Sequence, residues 1–143
     1  MKRPLGVKVL VLIEIFLALG AIPSGASLLA DPSGRSIWVG LESALQYIPF
    51  LHDFTLVGVW LIAVYGVLPL ILAVGLWMQR RWAWRIALVL GAVIIVWILA
   101  ELVMLYSLGF TFFYPLYGGI GILTIGILYL PSVRRYYTKP ETG

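Results

Sequence analysis

Residues 54–79 read FTLVGVWLIAVYGVLPLILAVGLWMQ, 26 residues between Asp53 and Arg80 without a single charge. A helix crosses the hydrocarbon core of a bilayer with about 20 apolar residues. A helix apolar on every side belongs in a membrane or in the core of a large protein. This chain has only 143 residues, so the stretch predicts a transmembrane helix, and that reading governs the segments on either side. The whole chain is 62% hydrophobic and 11% charged, where a soluble domain carries about 25% charged residues. Its mean hydropathy is +1.04. A single small globule cannot bury that much apolar surface, which excludes a free soluble enzyme and a disordered tail.

Outward from this stretch, three more runs have the length of a span. The first covers about 5–30, with Lys8 near its start and Glu14 in its middle. The third covers 84–108 and contains Glu101, and the fourth covers 111–130. Residues 102–133 form one uncharged stretch of 32, too long for one straight span. Gly109 supplies a stop, Thr111 a cap, and Pro115 a first-turn proline whose missing N–H costs little. Pro131 ends the fourth helix. The expected fold is all-α: one membrane domain over 1–143, a four-transmembrane-helix bundle with an outer loop at 31–53 and a tail at 131–143.

Nine of the ten basic residues fall on one side of this topology: Lys2, Arg3, Lys8, Arg80, Arg81, Arg85, Arg134, Arg135 and Lys139. Only Arg35 lies opposite. The positive-inside rule then predicts both termini in the cytoplasm, and a prokaryotic cell membrane as the location. The net charge of +4 follows the span ends, so lipid rather than nucleic acid is the expected partner. Trp77, Trp82 and Trp84 mark the inner interface; Trp38, Tyr106, Tyr114 and Tyr117 mark the outer one. The first span also has a signal-peptide layout, with Ser24-Gly25-Ala26 as a small-x-small site. We read it as a retained span, because those small residues have a packing use.

In the loop, Asp31-Pro32-Ser33-Gly34 suits a type I turn. Apolar residues at 37, 38, 41, 44, 45 and 48 recur at helical spacing and predict a short interfacial helix. It serves as a lid over the bundle, or as a docking surface or gate. Asp53 or Thr55 is the expected cap of the second span, and Arg35, His52 and Asp53 are the candidate polar residues of the loop.

Glu14 and Glu101 are the informative residues inside the spans, because a carboxylate at mid-bilayer costs about 2.5–3.5 kcal/mol or more and must face the bundle or water. Val11, Ala18, Ala21 and Gly25 share a stripe with Glu14. Ile98, Ile94, Gly91 and Ala87 share one with Glu101. Small residues on those stripes fit close helix contacts, so both acids are expected to point inward. Counting the rise per residue puts Glu14 roughly 13 Å from Leu5 and Tyr65 roughly 16 Å from Phe54, which predicts a Glu14–Tyr65 hydrogen bond. Glu101 lies farther out, with Tyr117, Tyr114, Trp60, Arg35 or His52 as partners. Each acid reads either as a hydrogen-bonded structural group or as a proton or cation site. Pro69 predicts a kink near Tyr65. Gly119 and Gly126, seven apart on one face, predict a tight helix contact within the chain or between subunits.

With no Cys and one His, thiolate metal sites, iron–sulfur clusters and bis-His haem within one chain are excluded. Phosphate-loop, G-x-S-x-G and H-E-x-x-H motifs are absent. No catalytic residue, metal or cofactor is therefore assigned. A lone Glu in the first of four helices resembles the small multidrug resistance exporters, which implies a proton and an amphipathic cation sharing Glu14. Here Glu14-Ile15-Phe16-Leu17-Ala18 replaces their Glu-Val-x-Gly-Thr. Asp31-Pro32-Ser33-Gly34, Pro49-Phe50, Asp53-Phe54, Arg80-Arg81-Trp82-Ala83-Trp84 and Pro115-Leu116-Tyr117 together resemble a family of small prokaryotic four-helix membrane proteins, which implies the topology and no activity. The leading expectation is a non-enzymatic accessory or interaction subunit, working through helix packing and the outer loop in a homo-oligomer or larger membrane complex. The alternatives are a proton-coupled transporter or binder of small amphipathic molecules using Glu14, with Tyr65 and Trp60 lining the site, and a redox accessory holding quinone or pigment.

Overall fold

A computed structural model describes residues 2–105 and 113–138, and the described residues contain helices and no strand. Three helical runs are long and apolar enough to cross a membrane. They are α1 (Leu5–Ala30), the run Thr55–Trp77, and α4 (Arg81–Leu105). The middle run consists of α2 (Thr55–Trp60), a π-helical segment (Leu61–Val67) and α3 (Leu68–Trp77). α5 (Phe113–Tyr129) and α6 (Pro131–Thr138) meet at a 63° bend and make a fourth run if counted together. Gly109, Thr111, Tyr106, Lys139 and the Tyr114 side chain lie outside the described residues.

Only about a third of each long run is buried, 33%, 33% and 28%. The uncovered faces carry Leu12, Phe16 and Leu19 on α1 and Val89 and Val96 on α4. A helix whose outer face is as apolar as its inner face suits a hydrocarbon surrounding. Inside, the anticipated stripes are buried: Glu14, Ala18, Ala21 and Gly25 on α1, and Ala87, Gly91, Ile94 and Ile98 on α4.

Glycines set the closest approaches. A Cβ on Gly25 would stand 2.7 Å from the Gly58 carbonyl oxygen and 2.6 Å from Ile62, so α1 and α2 touch backbone to backbone. α4 and α5 meet the same way: a Cβ on Gly91 would lie 2.9 Å from Ile125, and one on Gly121 would lie 3.1 Å from the Gly91 oxygen. Of the two contacts expected at Gly119 and Gly126, the one within the chain is not made. Both glycines are exposed, with nothing within 4 Å of a Cβ; the internal contact rotates α5 so that Gly121 faces α4.

Pro69 shapes the middle run. It has no N–H to bond the Tyr65 carbonyl, and the backbone just before it widens into the π segment, where the Leu68 N–H reaches back to Ala63 O. The loop differs from expectation. Its helix is a 3₁₀ turn confined to Leu41–Tyr47, because Gly40 adopts φ +98° and breaks the pattern on its N-terminal side. Leu41, Ala44 and Leu45 pack on Leu28 and Phe54, so the turn caps the end of the bundle as a lid. The Asp31-Gly34 turn closes with Gly34 N–H to Asp31 O at 3.0 Å, and Phe54 N–H to Pro32 O at 2.9 Å ties the loop to α2.

At the arginine end, Gln79 takes φ 59°, and its N–H and that of Arg80 return to Leu76 O and Gly75 O, a glycine-type helix stop built on glutamine. Its side chain offsets the strain by donating to Tyr136 O at 2.6 Å. The segment expected as a tail is α6, which folds under the bundle. Val133, Tyr136 and Tyr137 are buried. The Tyr137 hydroxyl donates to Leu76 O at 2.8 Å, and Trp84 Nε1–H donates to Leu128 O at 3.1 Å.

Gly91→Val should lower detergent stability by about 1–3 kcal/mol through overpacking, while Gly119→Ala should leave it unchanged or slightly raised. Thermal or denaturant unfolding of the two variants checks the assignment; equal losses would contradict it.

Candidate functional site

The residues singled out from the sequence separate into two places. Trp60, Tyr65, Glu101 and Tyr117 gather near the loop end, while Glu14 lies alone, closer to the arginine end. The aromatic group forms first. Trp60 and Trp97 stack with ring centroids 6.0 Å apart and planes at 16°. Tyr65 stands edge-on to both, at 6.4 Å from Trp60 and 6.2 Å from Trp97. Such offset and edge contacts are favourable beyond simple burial. The π segment carries Tyr65, α2 carries Trp60 and α4 carries Trp97.

The carboxylate is fixed by the aromatic group. Trp97 Nε1–H donates to Glu101 Oε1 at 2.7 Å, four residues along α4. Of the expected partners, Tyr117 lies within electrostatic reach of Glu101, and so does Tyr65, which was expected beside Glu14 instead. Trp60 reaches it only through Trp97. Arg35 is engaged elsewhere: its Nε donates to Glu42 at 3.0 Å on the far side of the loop turn. His52 is exposed. The N-cap position of α2 is Phe54 rather than Asp53 or Thr55; Asp53, one residue earlier, accepts the Thr55 N–H at 2.8 Å, and that bond holds its carboxyl below the ordinary range. Asp31 is likewise held low, first by the Ser33 hydroxyl at 2.6 Å. The loop acids are therefore occupied with turn chemistry.

The anticipated Glu14–Tyr65 hydrogen bond is absent. Glu14 Oε2 and the Tyr65 hydroxyl are both buried without a hydrogen-bond partner. The Trp60 indole lies near the Tyr65 oxygen without a well-formed bond. The reason is axial register. A Cβ on Gly66 would meet Ile22 at 2.6 Å, so Tyr65 is level with Ile22, eight residues or roughly 12 Å beyond Glu14. Counting inward from opposite ends misjudged the depth because α1 runs 26 residues, longer than a bilayer core requires.

Glu14 is 1% exposed. Two grooves of about 430 and 410 Å³ open on the surface, and neither is lined by Glu14 or Glu101. The other buried polar atom without a partner is Thr124 Oγ1, on a residue 2% exposed. α1 and α5 run antiparallel, with Gly6 against Ile127 and Gly20 against the Tyr117 hydroxyl. That register places Thr124 toward the arginine end from Glu14, offset by up to roughly 7 Å along the axis.

Trp97 and Thr124 were missed in the sequence. Trp97 carried a signal, since residues four apart share a helix face; Thr124 carried one only through its spacing from Gly121. Among the described residues no three of His, Asp and Glu converge on a metal position. The loop-end group leaves Trp60 38% exposed, with Glu101 accepting from Trp97 behind it.

Comparison with protein-family models, with curated proteins and with solved structures gives no match at a significant level.

A buried polar atom without a partner costs about 1–3 kcal/mol, so Glu14→Leu should raise resistance to unfolding by that order. A loss of stability in the same unfolding measurement would mean the folded chain depends on the carboxyl.

Proposed function

We propose that the chain is a four-span integral membrane protein, with both termini and the arginine end in the cytoplasm of a prokaryotic cell, and that it works as a non-enzymatic accessory or interaction subunit through helix packing. Three apolar runs and a bent fourth support the topology. The distribution of basic residues supports the orientation.

One observation carries the interaction reading. Gly119 and Gly126 lie on one exposed face of α5 with open space above them. The other described glycines in helices have a neighbour within 3.5 Å of the Cβ position. Glycine in a helix interior costs about 1 kcal/mol relative to Ala, and in membranes small residues serve close approach between helices. Leu116, Ile122 and Leu123 flank the pair and are also exposed. A second α-helix, from another copy or another subunit, fits this face.

The absence of Cys from the chain makes the test clean. Gly119→Cys and Gly126→Cys should cross-link to a neighbouring helix in native membranes under mild oxidation. Val89→Cys and Val96→Cys, on the exposed face of α4, should not. No cross-link at either glycine position, together with unchanged co-purification for Gly126→Leu, would end the interaction reading.

A second reading, a binder of small amphipathic molecules, is supported by the loop-end group rather than by Glu14. It has three aromatic rings, an unpartnered Tyr65 hydroxyl and the Glu101 carboxyl together. A quinone or pigment role would use the same rings. A hydrophobic quinone or amine should quench tryptophan emission in the native chain and much less in Trp60→Leu; equal quenching in both removes this reading.

A further inference from the structure

We propose that the groove where α5 turns into α6 is a binding site for the phosphate headgroup of an anionic phospholipid. The inference rests on the membrane reading above and on four observations about the arginine end.

The first is shape. α5 and α6 meet at 63°, and the corner leaves a groove of about 430 Å³ lined by Tyr129, Pro131, Arg134, Arg135 and Thr138. The second is attachment. α6 is not a loose basic tail, because Tyr137 bonds Leu76 O and Gln79 bonds Tyr136 O. With Val133, Tyr136 and Tyr137 buried, Arg134 and Arg135 are held on the outward side, both exposed. The cost of ordering that face is already met by folding, which favours a defined site over a diffuse charge.

The third is charge distribution. Lys2, Arg3, Lys8, Arg80, Arg85, Arg134 and Arg135 all belong to this end, whereas the described carboxylates do not: Asp31, Glu42 and Asp53 are in the loop at the other end, and Glu14 and Glu101 are within helices. Among the described residues this end therefore carries an excess of cations, which attracts the anionic leaflet surface. The fourth is position. The 17 residues of α5 span about 25 Å, so Tyr129, 57% exposed, ends the apolar run at the depth where tyrosine meets headgroups. The exposed Leu130 beside it offers a surface for the first methylenes of an acyl chain. Two adjacent guanidiniums above an apolar flank match a phosphodiester above its tails, with each guanidinium able to bond phosphate oxygens in pairs. A free phosphate would use only the upper half.

The full-length protein in a neutral detergent is titrated with phosphatidylglycerol, phosphatidylcholine or inorganic phosphate, reading bound lipid by native mass spectrometry and the unfolding temperature in parallel. The expected result is a one-to-one phosphatidylglycerol adduct with a raised unfolding temperature, neither of which phosphatidylcholine or inorganic phosphate reproduces. R134Q/R135Q should weaken that adduct about tenfold or more, while K2Q/K8Q, with the same charge loss outside the groove, should keep it within about twofold. Equal retention of phosphatidylcholine, an equal effect of inorganic phosphate, equal weakening by K2Q/K8Q, or an unaffected R134Q/R135Q each overturns the site. If R134Q/R135Q does not fold, the wild-type comparison of the three ligands decides alone. Co-flotation of the chain with pure phosphatidylcholine vesicles after alkaline extraction tests the membrane reading separately. A chain that floats but shows no headgroup preference loses only this inference.

Discussion

The backbones of α1 and α2 touch at Gly25 and Gly58, and the arrangement of the rest follows from that approach and its counterpart at Gly91 and Gly121. Helices that are apolar on every side cannot be oriented by hiding leucine, because each face hides it equally well. In a hydrocarbon surrounding, association depends on van der Waals fit and on close approach at small residues. The glycine pairs supply both, and they fix the axial register as well as the facing sides. With Gly66 against Ile22, Tyr65 cannot reach Glu14, and it stands beside Trp60 and Trp97 instead. The aromatic group and its hold on Glu101 are consequences of that register.

Much of the architecture was legible in the sequence. Uncharged runs bounded by arginine and proline located the helices, and the stripe of small residues beside Glu14 turned that acid inward, while Glu101 is half-buried against Trp97. Pro69 marked the irregular turn, though a π segment rather than a simple kink absorbs its missing donor. Depth was not legible, because a helix with no polar face gives no mark of where it slides against its neighbour. The choice among Gly118, Gly119, Gly121 and Gly126 was not legible either, since all four satisfy the same pattern until the rotation of α5 is known. α6 escaped notice because Val133, Tyr136 and Tyr137 form an apolar face only one turn long inside a basic segment.

The two ends of the bundle are closed by different chemistry. At the loop end the acids act locally: Asp31 gathers Ser33 and Ser36, Glu42 takes Arg35 and the Gly40 N–H, and Asp53 takes the Thr55 N–H. Those bonds shape a short connection, and the 3₁₀ turn seats its apolar side on Leu28 and Phe54. At the arginine end the closing element is α6, held by Tyr137 reaching a carbonyl of α3 and by Gln79 and Arg81 reaching carbonyls of α6. The Leu76 carbonyl already accepts the Gln79 N–H, so the Tyr137 hydroxyl uses its second lone pair and ties α6 to the end of α3.

These closures bear on Glu14. Its carboxyl lies between the two sealed ends, with Ala18 and Ala21 above it on the same buried stripe and Thr124 on α5 offset toward the arginine end. Exchange of a proton or cation with either side would require α1 to part from its neighbours. Gly25 on Gly58 opposes that at one end, and Gly6, pressed on Val133 of the docked α6, opposes it at the other. A transporter built around Glu14 would need one of these contacts to open in each cycle; Gly25 meets the Gly58 main chain directly, and Gly6 meets the side chains of Val133 and Ile127. The same contacts suit a rigid subunit that presents a fixed outer face. The packing therefore leaves the glycine face of α5 open and the Glu14 carboxyl enclosed.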